Sequence, residues 1–406
     1  MRNAIFVAPY LLETTARFVS GAAELPGARL GLITHEPEEK LPPELKAKLA
    51  DYLRVENALD VSQLGSAVRH VAKRLGSVDR LIGTLEELQV PLAEVREAFG
   101  IPGMGTDTAK NFRDKSRMKS VFEAHGIPCA RHRLVSCADE ARAFARETSF
   151  PLVAKPPAGA GARNTFRIDD ESRFERWLQA APPTSGNPAL LEEFLTGEEH
   201  SFDSVMVRGE LVFHSISRYL PTPLEVLENP WVQWVVILPR EIEGPAYDGI
   251  RSAGTRALHA LGMETGLSHM EWFRRSDGGV AISEVAARPP GAQFTTLLSY
   301  AHDLDFYRAW ARLAVFDEFS VPGRRWAVGA AFLRGQGSGR VAAVHGLEKV
   351  AKEVAPVVVE ARVPQAGQSP GGGYEGEGYV IVRHQDTDVV ERALAKIVTG
   401  IRVELA

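Results

Sequence analysis

The chain has 406 residues, 45% of them hydrophobic and 24% charged, with a formal net charge of −5. That length exceeds one ordinary core and implies roughly two to four domains. The mild acidity leaves no basic footprint, which argues against nucleic acid as the main partner. The two cysteines, Cys129 and Cys137, offer no disulfide framework or zinc set and suit a reducing, cytoplasmic compartment. No apolar run approaches the about 18 residues of a membrane span.

The opening MRNAIFVAPYLLETTARF holds a short apolar run broken by Pro9 and Glu13, which reads as a first strand and helix rather than a leader. Buried-type strands are expected at 4–8, 30–34, 52–55 and 80–84, and amphipathic helices at 61–75 and 88–99. This alternation predicts a parallel sheet with helices on both faces over residues 1–105. No Gly-x-Gly-x-x-Gly follows the first strand, so the domain reads as a scaffold and a wall for substrate.

The stretch DTAKNFRDKSRMKSVFEAHGIP reads as one basic helix, with Asp107 near its start and Gly126 as its stop. It is either a solvated basic face or the carrier of a phosphate-facing lysine, for which Lys115 is the candidate. In SFPLVAKPPAGAGARNTF a short strand ends at Lys155 and runs into the small-residue loop Ala158-Gly159-Ala160-Gly161-Ala162. Backbone amides in such a loop can approach an anion closely. The lysine precedes the glycines, so this is not a Walker A loop. The strand 190–195 carries Glu192 and Glu193, then Glu198 and Glu199 follow Gly197. These acids either bristle into solvent or hydrogen-bond a ribose and an adenine amino group. Arg208-Gly209 marks a hairpin. Segment 217–239 fits no simple element; its Arg218, Trp231 and Trp234 are candidates for an acceptor pocket, where an arginine would pair with a carboxylate.

The segment LSHMEWFRRSDGGVAISEVAARPPG (267–291) predicts a hairpin with arms 270–273 and 280–285 and a type I′ turn at Asp277-Gly278. That register sets Glu271 opposite Glu284 and His269 opposite Ala286. Two facing carboxylates repel unless a cation lies between them, and hard cations such as Mg²⁺ take one or two carboxylates plus substrate phosphates. Arg288 shares the face if the strand continues. Alone, the hairpin is equally a solvated face with scattered charges. Residues 291–316 read as helix with a turn at Asp303 and Asp305, a Gly-rich β region starts near 325, and 369–376 reads as a loop without chemistry.

In this order the motifs Asp114-Lys115, Lys155 with its loop, LLEEFL with GEEHSFD, Glu271 and EVAARPPG resemble the ATP-grasp superfamily. Within its biotin-carboxylase-like branch, the chain is most similar to L-amino-acid ligases that form dipeptides. The resemblance implies an α/β and α+β protein: a parallel α/β domain (1–105), two α+β lobes sandwiching ATP (106–188 and 189–318), and a C-terminal α+β domain (319–406). It implies that Lys115 and Lys155 sit on the ATP phosphates and that Gly159, Ala160 and Gly161 lie in the loop closing over them. Glu192, Glu193, Phe194 and Leu195 would hold adenine, Glu199 the ribose hydroxyls, Glu271 and Glu284 the Mg²⁺ (or Mn²⁺), and Arg288 the acyl phosphate. Ala286 stands where many such enzymes carry a ligating Asn. That leaves the number of metal ions open, and His269 either substitutes or packs.

The activity implied is an ATP-dependent carboxylate–amine ligase acting on small molecules through an acyl phosphate, with release of ADP; a homodimer is compatible with it. A carboxylase phosphorylating bicarbonate and a non-catalytic ATP-binding protein are the alternatives. A dinucleotide oxidoreductase is disfavoured by the incomplete glycine fingerprint.

Overall fold

The computed structural model describes residues 1–159, 164–229, 231–371 and 373–406. Strands β1 (Arg2–Ala8), β2 (Ala28–Thr34), β3 (Asp51–Arg54) and β4 (Arg80–Ile82) form a parallel sheet in the order β3-β2-β1-β4. Helices α1 (Glu13–Ala23), α2 (Pro43–Lys46), α3 (Val61–Leu75) and α4 (Gln89–Phe99) connect and follow them. Alternate residues of β1 enter different cores, because side chains along a strand alternate faces. Ile5 and Val7 join α3 and α4, whereas Ala4, Phe6 and Ala8 join α1 and a large cluster shared with later elements.

The basic segment forms two helices where one is expected, α5 (Thr106–Arg113) and α6 (Lys115–Ala124). Asp114 breaks them: its backbone is extended, and its side chain accepts from the amides of Ser116 and Arg117 as the N-cap of α6. An Asp cap competes with helix continuation by satisfying amides that would otherwise be orphaned. Strands β5 (His132–Val135), β6 (Leu152–Lys155), β7 (Phe166–Ile168) and β8 (Ala189–Glu193) pair antiparallel in the order β5-β8-β6-β7. Helices α7 (Ala138–Thr148) and α8 (Glu171–Ala180) cover one face.

The remaining chain builds an eight-stranded sheet. Its members are β9 (Glu198–Val207), β10 (Glu210–Leu220), β11 (Trp234–Leu238), β12 (Gly266–Arg274), β13 (Val280–Ala286) and β14 (Ala327–Leu333), joined by two strands from the end of the chain. β9 and β10 meet at Arg208 and Gly209, both at positive φ (53° and 83°), as a type I′ turn requires. The segment expected to fit no simple element supplies the end of β10, the helix α9 (Pro223–Glu228) and β11. Helices α10 (Asp248–Leu261), α11 (Phe294–His302) and α12 (Phe306–Phe316) follow, and α12 packs on α1 through Phe18 against Tyr307 and Trp310.

Beyond residue 319, β15 (Gly335–Gly337), β16 (Val341–His345), α13 (Leu347–Val354), β17 (Val358–Arg362), β18 (Gly378–His384), α14 (Thr387–Gly400) and β19 (Arg402–Leu405) complete the chain. β14 pairs with β11 and β18, so the sheet runs without interruption past residue 319. Gly329 allows this: a Cβ there would lie 2.5 Å from the Leu394 side chain of α14. Among the described residues, no helix is long and apolar enough to cross a membrane.

Candidate active site

The β12–β13 hairpin brings Glu271 opposite Glu284 and His269 opposite Ala286, but not through the expected turn. Gly278 has φ +81° while Asp277 is not left-handed, and Arg275 and Gly278–Gly279 close a longer loop through Gly278 N–H to Arg275 C=O and Arg275 N–H to Gly279 C=O, each 2.9 Å. This is a type I turn with a bulge, which needs only one left-handed residue. Near the turn Trp272 faces Ile282, so Ser283 is the extra residue of a β-bulge. The longer loop and the bulge offset one another, and the carboxylates still meet.

Beside Glu284 lies a lysine. Lys115 opens α6, its backbone N–H bonds Pro157 C=O at 2.8 Å, and its Nζ lies 2.9 Å from Glu284 Oε1 and 3.2 Å from Gly159 C=O. Lys155 ends β6, with Nζ 2.8 Å from Glu192 Oε2. The other oxygen of Glu192 is 3.5 Å from Nζ of Lys119, which is 0% exposed and donates to Ile282 C=O. Burial disfavours both lysine charges. For Lys155 the carboxylates of Glu192 and Glu284 outweigh it and raise its pKa; for Lys119 burial prevails and the pKa falls. Burial pushes Glu192 and Glu284 upward, but the adjacent lysines override it and hold both below the usual range. Glu199, buried and near Glu271, is pushed well above that range.

On the opposite side, His269 Nδ1 is 2.5 Å from Asp203 Oδ1, and its Nε2 is 3.3 Å from Tyr219 Oη and 3.8 Å from Glu271 Oε1. Ser201 and Ser217 extend this buried network behind Asp203. Burial lowers the His269 pKa, yet Asp203 and Glu271 outweigh it and raise it to about 9. β13 ends at Ala286, so Arg288 stands in the following loop rather than on the strand. Its Nε meets Glu86 Oε2 at 2.5 Å.

These groups converge on a cavity of about 410 Å³. Its lining includes Lys115, Lys155, Gly159, Glu192, Glu193, Phe194, Leu195, Glu199, Trp234, His269, Glu271, Glu284 and Arg288. Two candidates for the acceptor pocket lie elsewhere. Arg218 pairs with Glu391, because alternation along β10 turns its neighbour Tyr219 inward instead. Trp231 is 60% exposed beyond α9. Ala160 and Gly161 lie outside the described residues.

A second cavity of about 600 Å³ adjoins the first and shares Gly159, Arg288, Phe294 and Tyr374 with it. Ala8 and Thr84, at the carboxyl ends of β1 and β4, form part of its wall. Those strands flank the point where the strand order reverses, a common ligand crevice in open α/β sheets. Ala292 on the first cavity and Gln293 on the second, at φ 47° and 61°, carry backbone strain of a kind that clusters at functional sites. Sequence reasoning missed Lys119, Glu86, Asp203 and Tyr374. A carboxylate just past the fourth strand was a usable signal for Glu86; Tyr374 lies in a Gly-rich loop with no periodicity to mark it.

A divalent cation fits the donor set. Glu271 and Glu284 offer oxygen donors, and among the described residues no group of three or more His, Cys, Asp or Glu forms a closed cage. Two carboxylates with room for phosphate oxygens suit Mg²⁺ rather than zinc.

No family model matches the chain. It is 26% identical over 271 residues to the L-arginine-specific L-amino acid ligase of Bacillus subtilis, covering 64% of this chain and 63% of that protein. The chain thus spans less than two thirds of the length of the curated relatives it matches first. The crystal structure of an L-amino acid ligase from Bacillus licheniformis superposes with a TM-score of 0.80 at 19% identity, covering 100% of this chain and 99% of that one. The biotin carboxylase domain of the Hydrogenobacter thermophilus 2-oxoglutarate carboxylase, solved with MgADP and bicarbonate, gives 0.67 at 17% identity, covering 98% and 90%. The fold is that of the ATP-grasp enzymes.

Proposed function

We propose that this chain is an ATP-dependent carboxylate–amine ligase that joins small molecules, L-amino acids among them, in the cytoplasm. The observation that carries the reading is the convergence of Lys115, Lys155, Glu199, Glu271, Glu284 and Arg288 on one cavity. The similarity to L-amino acid ligases supports it. The division at residues 105, 188 and 318 belongs to the same proposal.

In this reading the adenine lies along Glu193–Leu195 and meets their backbone groups. The side chain of Glu192 is engaged with two lysines and holds Lys155 rather than the base. Glu199, its carboxyl pushed well above the usual range by burial and by Glu271, faces the ribose hydroxyls. Lys115 and Lys155 balance phosphate charge. Glu271 and Glu284 would hold Mg²⁺, which when bound neutralises charge on the transferring phosphoryl group. A substrate carboxylate oxygen attacks the γ-phosphorus; an O–P bond forms, the β,γ-anhydride breaks, and ADP leaves. Arg288 stabilises charge on the resulting acyl phosphate. An amine from the second cavity then attacks the carbonyl carbon, a C–N bond forms, phosphate leaves with the C–O bond, and the nitrogen loses its proton to solvent. Positioning supplies much of the rate.

The test is a phosphate-release screen of carboxylates against amines with products identified by mass. Amide, ADP and phosphate are expected in equal amounts. AMP with pyrophosphate, or turnover that needs bicarbonate and no amine, would sink the reading.

A further inference from the structure

The two cavities meet around a residue that comes from the far end of the chain. Tyr374 lies in the stretch 369–376, between β17 and β18, and lines both cavities beside Arg288. Its ring packs edge-on against Trp234 at 4.7 Å. A Gly-rich loop would ordinarily hold a side chain loosely, but this one is built around Glu377, a carboxylate only 3% exposed. Glu377 Oε1 accepts from Gly371 N–H at 3.0 Å and Oε2 from Gly335 N–H at 2.5 Å, while its own N–H bonds Leu333 C=O at 2.9 Å. The turn closes tightly: a Cβ at Gly371 would fall 2.1 Å from Gly376 C=O. On the other flank, Glu375 faces the Ala292 amide. Three residues before a buried anchor, the tyrosine is therefore delivered to a set position.

We infer that Tyr374 is the partition between the nucleotide cavity and the acceptor cavity, and that its ring keeps water from the acyl phosphate until the amine arrives. The inference rests on the ligase reading. An acyl phosphate held by Arg288 must be open toward the second cavity, since the amine enters there, and water can follow the same route. A flat ring three residues from the Glu377 anchor narrows that opening at little entropic cost, having only two side-chain torsions to fix. What acts is the breadth of the ring rather than its hydroxyl. Tyr374 thus sets coupling, the amide formed per ATP consumed. Leakage replaces the amine by water: a C–O bond to water oxygen forms, phosphate leaves, and the original carboxylate returns with one solvent oxygen.

The experiment compares wild type, Tyr374→Phe, Tyr374→Leu and Tyr374→Ala in ¹⁸O-water with the carboxylate and amine found by the screen. Phosphate per amide should rise by at least about fivefold in Tyr374→Ala and rise in Tyr374→Leu, with ¹⁸O in the recovered carboxylate, and stay at the wild-type ratio in Tyr374→Phe. An unchanged ratio in the leucine and alanine variants overturns the inference, as does equal uncoupling in Tyr374→Phe, which would make the hydroxyl the active part. Label found only in phosphate also overturns it. Should Tyr374→Ala not fold, as judged by loss of its nucleotide-dependent thermal shift, Tyr374→Leu decides alone. A wild type that forms no amide with any pair overturns the ligase reading itself, so the two failures are distinct.

Discussion

Replacing Glu192 by glutamine removes the only carboxylate paired with both Lys119 and Lys155 among the described residues, and leaves two lysines that are 0% and 8% exposed. Two routes estimate the cost. Breaking a buried ion pair by deleting one partner costs about 3–5 kcal/mol. Alternatively Lys119 sheds its proton: from an ordinary value of 10.5, neutralising it at pH 7.5 costs about 4 kcal/mol at 1.36 kcal/mol per unit. The cheaper route governs, so Glu192→Gln should lose roughly 3–4 kcal/mol in urea unfolding without nucleotide. The pH dependence follows from the same logic. A lysine whose folded pKa is depressed binds fewer protons folded than unfolded, so stability rises with pH up to the unfolded value. The deficit of Glu192→Gln should therefore shrink from pH 7 toward pH 10. Adding Lys119→Met, which removes the stranded charge and keeps apolar bulk, should recover most of the loss. A deficit below about 1 kcal/mol, or one independent of pH, would refute the claim that Glu192 holds the two lysines together.

Glu284→Gln strands the half-paired Lys115 and should destabilise the metal-free protein by about 1–3 kcal/mol; it should also abolish the extra thermal stabilisation that Mg²⁺ with a non-hydrolysable ATP analogue gives beyond either alone. A variant as stable as wild type would mean that the Lys115–Glu284 pair contributes nothing to the metal-free fold. Arg288→Ala should lower kcat by on the order of a hundredfold and also destabilise the fold, because Glu86, 6% exposed, loses its partner; adding Glu86→Gln should restore stability and leave activity low. Recovery of turnover in that double variant would remove Arg288 from the chemistry. The raised His269 pKa contributes stability that is fully present below about 6.5 and lost as pH rises through about 9. Asp203→Asn should flatten that part of the Tm–pH curve, and an unchanged slope would assign the titration to another group.

Local signals carried much of the fold. Short apolar runs marked β1 to β4 and set Lys155 at the end of its strand, hairpin register put Glu271 across from Glu284, and helical periodicity marked the helix 61–75. All depend on neighbours a few residues away, where φ/ψ preference and side-chain alternation are decided. The same signals failed where competing local choices were close in energy: whether Asp114 continues a helix or caps a new one, and whether the hairpin closes at two residues or takes a longer turn with a bulge. Arg218 and Trp231 were misplaced because alternation tells which residues share a face, not which face borders a cavity. Pairings across the chain lay beyond local signals altogether. Glu86 meets Arg288 from 202 residues away, Lys119 and Lys155 meet at Glu192 from separate elements, β14 joins β11 across the residue-319 boundary, and Tyr374 reaches the cavity from a loop anchored by Glu377. Each depends on where whole sheets and helices dock, which is decided by burial summed over the cores and leaves no mark in the residues immediately around any one of them.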